Sequence, residues 1–292
     1  MRMAVIACFL NEEAYLPTFL DSLSAQRRPP DLLLLVDDGS RDGSPALADD
    51  FAAAHPYARV LLRPRRPVQR DRLATAAELE AFCWAVEQVD IAWDVVAKLD
   101  ADLRLSPETF AELERRLAGD PRLGIAGAYQ SLMGADGLPE RERCPPDHVR
   151  GSTKFYRRAC FEQVYPLPFR LGWDTSDEVI ARMRGWRTES FAMPDGDPIH
   201  LRPTATADGA LRGHRRDGVA TYAYGAGPGW VLLGTARRMR GRPRVIGGVA
   251  FLLGWLAAAL RRDPRADARQ RAFLAAEQRQ RLRTSIRRAA RR

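Results

Sequence analysis

The sequence predicts an α/β protein built on a mostly parallel sheet with helices on both faces. Short apolar runs containing β-branched residues alternate with longer amphipathic stretches through the first half of the 292-residue chain. This order is typical of parallel strands joined by crossover helices. After about residue 203, Gly, Arg and aromatic residues become more frequent and two apolar stretches appear. We therefore expect a catalytic domain over residues 1–205 and a helical, partly apolar and basic extension over residues 206–292.

Each element follows from its local pattern. The apolar runs predict six strands: Met3–Leu10, Leu32–Val36, Val60–Leu62, Val95–Leu99, Ile125–Tyr129 and Thr188–Ala192. A helix is expected over Glu13–Gln26, where apolar residues recur at helical spacing. A second helix starts at Ser44, expected as its N-cap, with Pro45 in the first turn. Further helices are predicted over Ala74–Val89 and from Ser106 to Leu117.

The net charge of +9 is concentrated at the carboxyl end. Residues 261–292 hold twelve arginines against three acidic residues, so the remainder of the chain is about neutral. A basic tail on a neutral body indicates an anionic partner for the tail, either anionic lipid or nucleic acid. The four cysteines are far apart and form no CxxC pair, which favours cytosolic thiols over disulfides or a zinc site. The first residues show no signal-peptide pattern, so we expect a cytoplasmic protein.

The longer apolar stretch, Val245–Leu260, has 16 residues. As a helix it would span about 24 Å, short of the ~30 Å hydrocarbon core of a bilayer. Arg237–Arg244 precedes it and Arg261-Arg262 follows it. We therefore expect an element that lies in the membrane interface. The alternative is a buried helix pair that packs on the catalytic domain.

Polar clusters follow several predicted strands. They are Asn11-Glu12, Asp37-Asp38-Gly39-Ser40 and Asp100-Ala101-Asp102, while Asp174 precedes a later helix. In an open parallel sheet, ligands bind at the carboxyl ends of the strands. The clusters therefore indicate one acidic site.

The DxD pair of this set has the clearest chemistry. Alternate residues of an extended strand point to the same side, so Asp100 and Asp102 can face one ion. Mg²⁺ and Mn²⁺ prefer oxygen ligands and share them between carboxylates and substrate phosphates. The pair therefore predicts a metal–diphosphate site. As an alternative, Asp102 could cap the helix that starts near Ser106.

The order Phe9-Leu10-Asn11-Glu12-Glu13, Val36-Asp37-Asp38-Gly39-Ser40 and Leu99-Asp100-Ala101-Asp102 resembles the family 2 glycosyltransferases, which have the GT-A fold. The resemblance covers roughly Met3 to His200. It implies that Asp38 contacts the nucleotide base, with Asp37 beside it. It also implies that Asp102 binds the metal directly, whereas Asp100 contacts the ribose or the metal shell. The donor nucleotide residues expected from it are Cys8, Leu10, Asn11, Glu12, Asp37, Asp38, Lys98 and Asp100.

The same resemblance implies a catalytic base about eleven residues before a helix-ending glycine. Asp174 stands eleven residues before Gly185, but Trp173 replaces the glutamate that usually precedes the base. Asp177 is the competing candidate. Thr175 and Glu178 fit a capping box. A carboxylate here would remove the proton of an acceptor hydroxyl, in a single displacement that inverts the anomeric configuration.

The segment around Gly151, Ser152 and Lys154 is expected, with Trp173, to border the donor sugar and the acceptor. Lys154 and Lys98 are the two lysines of a chain with 46 Lys and Arg residues. His200 is a candidate third metal ligand, although a lone histidine is often structural. The other histidines, including His148, are interpreted as surface residues.

The predicted function is transfer of a sugar from a nucleotide-diphosphate donor to an acceptor hydroxyl with Mn²⁺ or Mg²⁺. Expected partners are the donor, a glycan or lipid-linked acceptor and an anionic membrane surface, but no nucleic acid. The enzyme would lie at the inner face of the cell membrane as a peripheral protein. A sugar-nucleotide nucleotidyltransferase is the alternative enzyme, although Asn11-Glu12-Glu13 lacks its glycine-rich loop. A basic, non-enzymatic nucleic-acid-binding protein is the other alternative.

Overall fold

A computed structural model describes residues 1–64, 71–134, 137–202, 209–241 and 243–289, with side chains described as far as residue 284. The strands are β1 (Met3–Phe9), β2 (Leu32–Asp37), β3 (Ala58–Leu62), β4 (Val95–Asp100), β5 (Leu103–Arg104), β6 (Leu123–Ala128), β7 (Ser131–Met133), β8 (Pro139–Arg141), β9 (Thr153–Arg157), β10 (Arg187–Phe191) and β11 (Ile199–His200). The helices are α1 (Leu16–Ser24), α2 (Ser44–Ala54), α3 (Ala77–Val86), α4 (Thr109–Gly119), α5 (Arg158–Val164), α6 (Trp173–Met183), α7 (Ala210–Ala223), α8 (Pro228–Arg240), α9 (Ile246–Arg261) and α10 (Ala268–Ala289).

The main sheet has seven strands in the order β10-β6-β9-β4-β1-β2-β3. Neighbouring strands run parallel except for β9, which is antiparallel to both β4 and β6. The two faces of β1 serve two separate cores: Val5 packs with α1 and α4 on one face, and Ile6 packs with α3 and α5 on the other. Burial on both faces explains why β1 is a continuous apolar run. The predicted fold class is confirmed.

A second sheet, in the order β5-β11-β7-β8, was not predicted. Its strands have two or three residues each, too few for a periodic pattern to form. This sheet has a functional consequence, because β11 runs antiparallel to β5 with His200 opposite Leu103. Asp102, the last residue of the DxD motif, directly precedes Leu103. The pairing therefore brings His200 next to this motif.

Two predicted helix caps are wrong. Ser44 is the first residue of α2 and not its N-cap, and its hydroxyl accepts a hydrogen bond from the backbone N–H of Glu12 at 2.9 Å. The capping box of Thr175 and Glu178 does not form, because α6 already begins at Trp173. Glu178 instead binds groups outside the helix. In both cases a side chain that could satisfy its own helix makes a tertiary contact.

The carboxyl-terminal helices pack tightly on one another, and α10 also packs on α6. A Cβ on Gly218 of α7 would lie 2.0 Å from the Phe251 carbonyl oxygen, and one on Gly254 of α9 would lie 2.1 Å from the Arg215 carbonyl oxygen. The glycines of the apolar run therefore allow two helix backbones to touch. Helix α10 contacts α6, where Arg182 donates to Glu277 at 2.8 Å. One side of α9 is thus buried against α7.

The opposite side of α9 remains uncovered in the described structure. Its exposed apolar residues are Val245, Ile246, Val249, Leu253, Leu256 and Leu260. We call these six residues the apolar stripe. No helix in the described part of the chain is both long enough and apolar enough to cross a bilayer.

Candidate active site

The loops after β1 and β2 are linked to each other at the carboxyl edge of the sheet. Asn11 has a positive φ of 54°, and its side-chain oxygen accepts the Arg41 backbone N–H at 2.8 Å. Its own backbone N–H donates to the Ser40 hydroxyl at 3.0 Å. Glu13 accepts the Gly43 backbone N–H at 3.0 Å. The acidic motif after β1 and the Asp-Asp motif after β2 therefore form one rigid rim.

The two aspartates at the end of β2 have different roles in this rim. Asp37 is buried and accepts the backbone N–H groups of Gly39 and Ser40, which shapes the turn. Asp38 points to two arginines instead, with Arg63 at 2.9 Å and Arg72 also donating to it. Of the two carboxylates, that of Asp38 is the less buried.

Asp100, at the end of β4, is held by a cation. The Lys98 ammonium lies 2.5 Å from one oxygen of Asp100 and 2.5 Å from Glu78 on α3. Although burial opposes ionisation, Lys98 holds the pKa of Asp100 low, at about 2. The Asp100 backbone N–H also donates to the Ser152 carbonyl oxygen at 2.9 Å. Asp100 is thus an ionised and well-fixed carboxylate.

Asp102 is almost completely buried and has two cationic or polar neighbours that come from β11 and the residues after it. His200 Nε2 lies 3.0 Å from one carboxylate oxygen, and the Arg202 guanidinium donates to the other at 2.9–3.1 Å. Arg202 also donates to Glu12 at 2.7 Å. Burial opposes protonation of His200, but its bond to Asp102 and the charge of Asp100 outweigh this and raise the pKa of His200. The alternative role of Asp102 as a helix cap is not observed.

These residues fit a divalent cation. One ligand atom each from Asp100, Asp102 and His200 lie within 4.8 Å of one another. Two carboxylate oxygens and an imidazole nitrogen suit Mn²⁺ well, whereas Mg²⁺ prefers oxygen alone. Glu12, joined to the cluster through Arg202, has a buried oxygen with no hydrogen-bond partner among the described residues. An unpaired anionic oxygen at this position is consistent with a site for a cation and its ligand shell.

Trp173, the first residue of α6, connects the two halves of the site. Lys98 and Lys154 face each other in the β4–β9 register, and their ammonium groups lie 5.8 and 5.3 Å from the centre of the Trp173 ring. A Cβ on Gly151 would lie 2.8 Å from this ring and 3.5 Å from the Asp174 Cβ. The absence of a side chain at Gly151 therefore lets the start of α6 dock against the turn that precedes β9.

A buried ionic network lies beneath Trp173. The Lys154 ammonium is fully buried and lies 2.9 Å from Asp177 and 3.1 Å from Glu178. The Tyr156 hydroxyl also donates to Asp177. His148 Nδ1 lies 3.0 Å from Glu178. Burial and the charge of Glu178 raise the pKa of Asp177, whereas Lys154 and His148 keep the pKa of Glu178 low despite its burial.

Asp174 occupies the first turn of α6, above this network. Its side chain is half-buried, and its backbone carbonyl accepts a hydrogen bond from Lys154. Asp177, one turn later, is completely buried, and each of its oxygens already accepts hydrogen bonds. Of the two candidate bases, Asp174 is the one whose side chain is not fully buried.

A family model described as glycosyl transferase family 2 matches residues 4–170, more than half of the chain. The chain belongs to glycosyl transferase family 2. The predicted membership is thereby confirmed, and the matched region runs from β1 to the loop before α6.

Two curated relatives share part of the sequence of this family 2 chain. A polyprenol monophosphomannose synthase of Mycolicibacterium smegmatis is 33% identical over 128 residues, which is 44% of this chain and 45% of the relative. An undecaprenyl-phosphate mannosyltransferase of Micrococcus luteus is 29% identical over 203 residues, or 69% of this chain and 73% of the relative. The chain therefore spans about half the length of the first relative and almost three quarters of the second.

Among solved structures, a mannosyltransferase from Pyrobaculum calidifontis in complex with GDP-Man and Mn²⁺ has a TM-score of 0.56 and 18% identity. The match covers 96% of this chain and 80% of that protein. At this identity the similarity concerns the fold, and it confirms the GT-A architecture of this family 2 chain.

The structure brings most of the predicted site residues to one edge of the sheet. Lys98, Asp100, Asp102 and His200 form the metal-side cluster, and Trp173 and Gly151 join it to Asp174. Ser152 is held by Gln130 at 2.6 Å, next to the Asp100 backbone. The remaining nucleotide residues lie along the same rim or beneath it: Cys8 is buried, Leu10 and Asp38 are half-buried, and Asn11 is exposed.

Several residues of the site were missed or misinterpreted from the sequence. Arg202 pairs with two acidic motifs, and Arg63, Arg72 and Glu78 surround Asp38 and Lys98. His148, interpreted as a surface residue, is a partner of Glu178. Arg202 lies two residues after His200. Two such side chains on an extended segment point to the same side, and this spacing could have identified Arg202 from the sequence. The other partners come from loops and from a helix face whose spacing carries no such signal.

Proposed function

We propose that this chain is a metal-dependent hexosyltransferase that moves a sugar from a nucleotide-diphosphate donor to an acceptor held at a membrane surface. One observation carries the proposal: Asp100, Asp102 and His200 come together at the strand ends, and the ring of Trp173, which directly precedes Asp174, lies 5.8 Å from the Lys98 ammonium that binds Asp100. Mannose is the first candidate for the sugar, because both curated relatives and the solved structure are mannosyl enzymes by name.

In this proposal Asp102 and His200 hold Mn²⁺ or Mg²⁺, with Asp100 as a third ligand or a ribose contact. A divalent ion at this position would stabilise the negative charge of the departing diphosphate as a Lewis acid. Arg202 neutralises Asp102 and Glu12 before the donor binds. Because its side chain is 44% exposed, Arg202 can exchange these carboxylates for a diphosphate oxygen without a change in the fold.

Asp174 is the proposed base. It accepts the proton of an acceptor hydroxyl as the hydroxyl oxygen attacks the anomeric carbon from the side opposite the diphosphate, which inverts the configuration. Asp177 is withdrawn as a base, since a fully buried carboxylate with both oxygens occupied offers no position to a substrate. Its proposed role is to fix Lys154, which in turn holds the Asp174 backbone.

A lipid phosphate is a second candidate for the attacking nucleophile. It is supported by the names of the curated relatives, which refer to polyprenyl phosphates. A phosphate monoester is largely deprotonated at neutral pH, since its second pKa is near 6. Transfer to a lipid phosphate would therefore need no base. Replacement of Asp174 distinguishes the two acceptors.

The membrane part of the proposal is supported by the apolar stripe. Its six residues lie along the uncovered side of α9, and arginines lie near both ends of the helix. A helix that buries such a face in the headgroup region would be held by apolar contact and by attraction to anionic lipid. We propose a peripheral attachment that turns the site toward a lipid-linked acceptor.

The decisive experiment is a transfer and donor-hydrolysis screen with UDP-, GDP- and dTDP-sugars, with Mn²⁺ or EDTA. GDP-mannose with Mn²⁺ should give the highest rate. Asp102→Ala should remove nearly all transfer and weaken donor binding in calorimetry. Asp49→Ala, which removes an exposed carboxylate from α2, is the control and should behave as wild type. Full activity in EDTA or in Asp102→Ala would overturn the proposal.

A further inference from the structure

A basic cleft with a volume of about 300 Å³ separates α6 from the carboxyl-terminal helices. Five arginines line it: Arg143, Arg150, Arg182, Arg238 and Arg281. We propose that this cleft, which we call the arginine cleft, binds the phosphate headgroup of a prenyl-phosphate acceptor. The inference rests on the proposed transferase function and adds the place where the acceptor is held.

The charge balance of the arginine cleft favours an anion. Two acidic residues, Asp147 and Glu178, also line it. Glu178 is already compensated by Lys154, and Asp147 by Arg281. Arg150, Arg182 and Arg238 also have carboxylate partners, which are Glu142, Glu277 and Asp217. One net positive charge remains, and it belongs to Arg143, which has no ion pair within the described part of the chain. A guanidinium group presents its donors in a planar fork that matches two phosphate oxygens.

Arg150 carries a separate indication of a missing ligand. Its Nε is buried and has no hydrogen-bond partner among the described residues, although its terminal nitrogen lies 3.2 Å from Glu142. A buried donor without an acceptor destabilises the structure, because it has lost its hydrogen bonds to water and gained none in return. Arg143, on the same loop, is exposed and lines the cleft as well. A phosphate oxygen would supply the acceptor that Arg150 lacks.

The arginine cleft adjoins the proposed base. Arg150 directly precedes Gly151, and Thr175, another residue of the cleft wall, directly follows Asp174. Because Gly151 and Asp174 pack against each other, the cleft wall and the base share this contact. An anion on Arg150 would therefore lie close to Asp174, and a phosphate held there would reach the site already deprotonated.

The apolar part of the cleft favours a lipid over free phosphate or a glycan. Trp230 of α8 and Phe251 of α9 line it together with the arginines. Leu233 stands one helical turn after Trp230, on the same face of α8, and its side chain is exposed. A prenyl chain that leaves the headgroup can therefore continue over apolar side chains toward α8. A hydrophilic glycan would gain nothing from this path.

The test uses calorimetry on the full-length protein with three probes: a C20 prenyl phosphate, the matching prenol and inorganic phosphate. The prenyl phosphate should bind the wild type more tightly than either fragment does. Arg143→Gln with Arg150→Gln should weaken it at least about tenfold, through loss of charge-assisted hydrogen bonds. Trp230→Ala should weaken the prenyl phosphate but leave inorganic phosphate unchanged.

Arg122→Gln is the matched control, because Arg122 is an exposed arginine beside the amino end of β6, at the opposite edge of the sheet. It should bind all probes as wild type does. Unchanged prenyl-phosphate binding in the double variant would overturn the proposal. The proposal would also be overturned if the prenol, or inorganic phosphate, bound the wild type as tightly as the prenyl phosphate does. Donor binding with Mn²⁺ is measured in parallel, and its absence in the wild type would refute the transferase and not the cleft.

Discussion

Two ionic clusters lie within one site, and they differ in access to solvent. The metal-side cluster of Lys98, Asp100, Asp102 and His200 lies at the strand ends. Asp102 and His200 are buried there, but Asp100 is 22% exposed and Arg202, which binds Asp102, is 44% exposed. The network of Lys154, Asp177 and Glu178 lies under α6, where the three side chains have 0–1% exposure. Both clusters contain carboxylates, a cation and a histidine. Their residue types therefore do not distinguish them.

The difference shows how burial separates binding from positioning. A partly exposed carboxylate can exchange a protein cation for a metal ion, because water solvates the charge of the carboxylate during the exchange. In the fully buried network, the removal of one partner leaves a buried charge that has lost its ion pair and cannot be solvated by water. We therefore expect substitutions at the strand ends to affect ligands, and substitutions under α6 to affect stability.

The largest effect is expected for Lys154→Met compared with Lys98→Met. Lys154→Met removes the ammonium that Asp177 and Glu178 share and leaves the buried network with excess negative charge. It should reduce the free energy of unfolding by about 3–5 kcal/mol. Lys98→Met should cost less, because its partners Asp100 and Glu78 are 22% and 40% exposed. Denaturant unfolding measures both. Equal losses would show that the two clusters do not differ in the way described.

The next effect concerns the base. Asp174→Asn should lower turnover at least ~10²-fold with a hydroxyl acceptor while donor binding survives, since general bases contribute on this scale. Single-turnover kinetics and donor calorimetry separate the two quantities. Unchanged turnover would contradict a hydroxyl acceptor and favour a lipid phosphate. If Asp177→Asn alone lowers turnover in a folded protein, the base is Asp177.

A smaller effect is expected at the membrane. Leu253→Glu with Leu256→Glu places two charges on the apolar stripe and should abolish co-sedimentation with anionic liposomes. The wild type should bind them less as salt increases, because ions screen the arginines. Leu62→Glu with Leu138→Glu adds the same charge at exposed leucines elsewhere and should still bind. A wild type that ignores liposomes at every salt concentration would refute the membrane attachment.

The smallest effect concerns the pH dependence of stability through His148. Burial opposes its protonation, but the charge of Glu178 and the hydrogen bond to it raise the pKa of His148 above 6.5. The stabilisation is therefore complete below about pH 6.5 and is lost as the pH rises through the higher folded-state value. The Tm of the wild type should exceed that of His148→Gln by a few degrees at pH 6 and by less at pH 9. A gap that is constant with pH would argue against this pair.

Much of the part of the chain that forms the main sheet could be predicted from the sequence. The strands of the main sheet are continuous apolar runs because both of their faces are buried, and this pattern is visible without a structure. The polar clusters at strand ends followed from the topology of parallel sheets. Asp100 and Asp102 do come together as predicted, but Asp102 lies in the turn after β4 and not on the strand, so the strand period is not the reason.

Tertiary structure decided what depends on distant partners. Sequence spacing left Asp174 and Asp177 as rival bases, and burial separates them. Glu178 fits a cap by its spacing, yet it binds His148, 30 residues earlier. The approach of His200 to Asp102 depends on a two-residue strand pairing across 98 positions. Local patterns report on neighbours within one element, whereas burial and ion pairing depend on which elements pack together, and this is fixed only when the chain has folded.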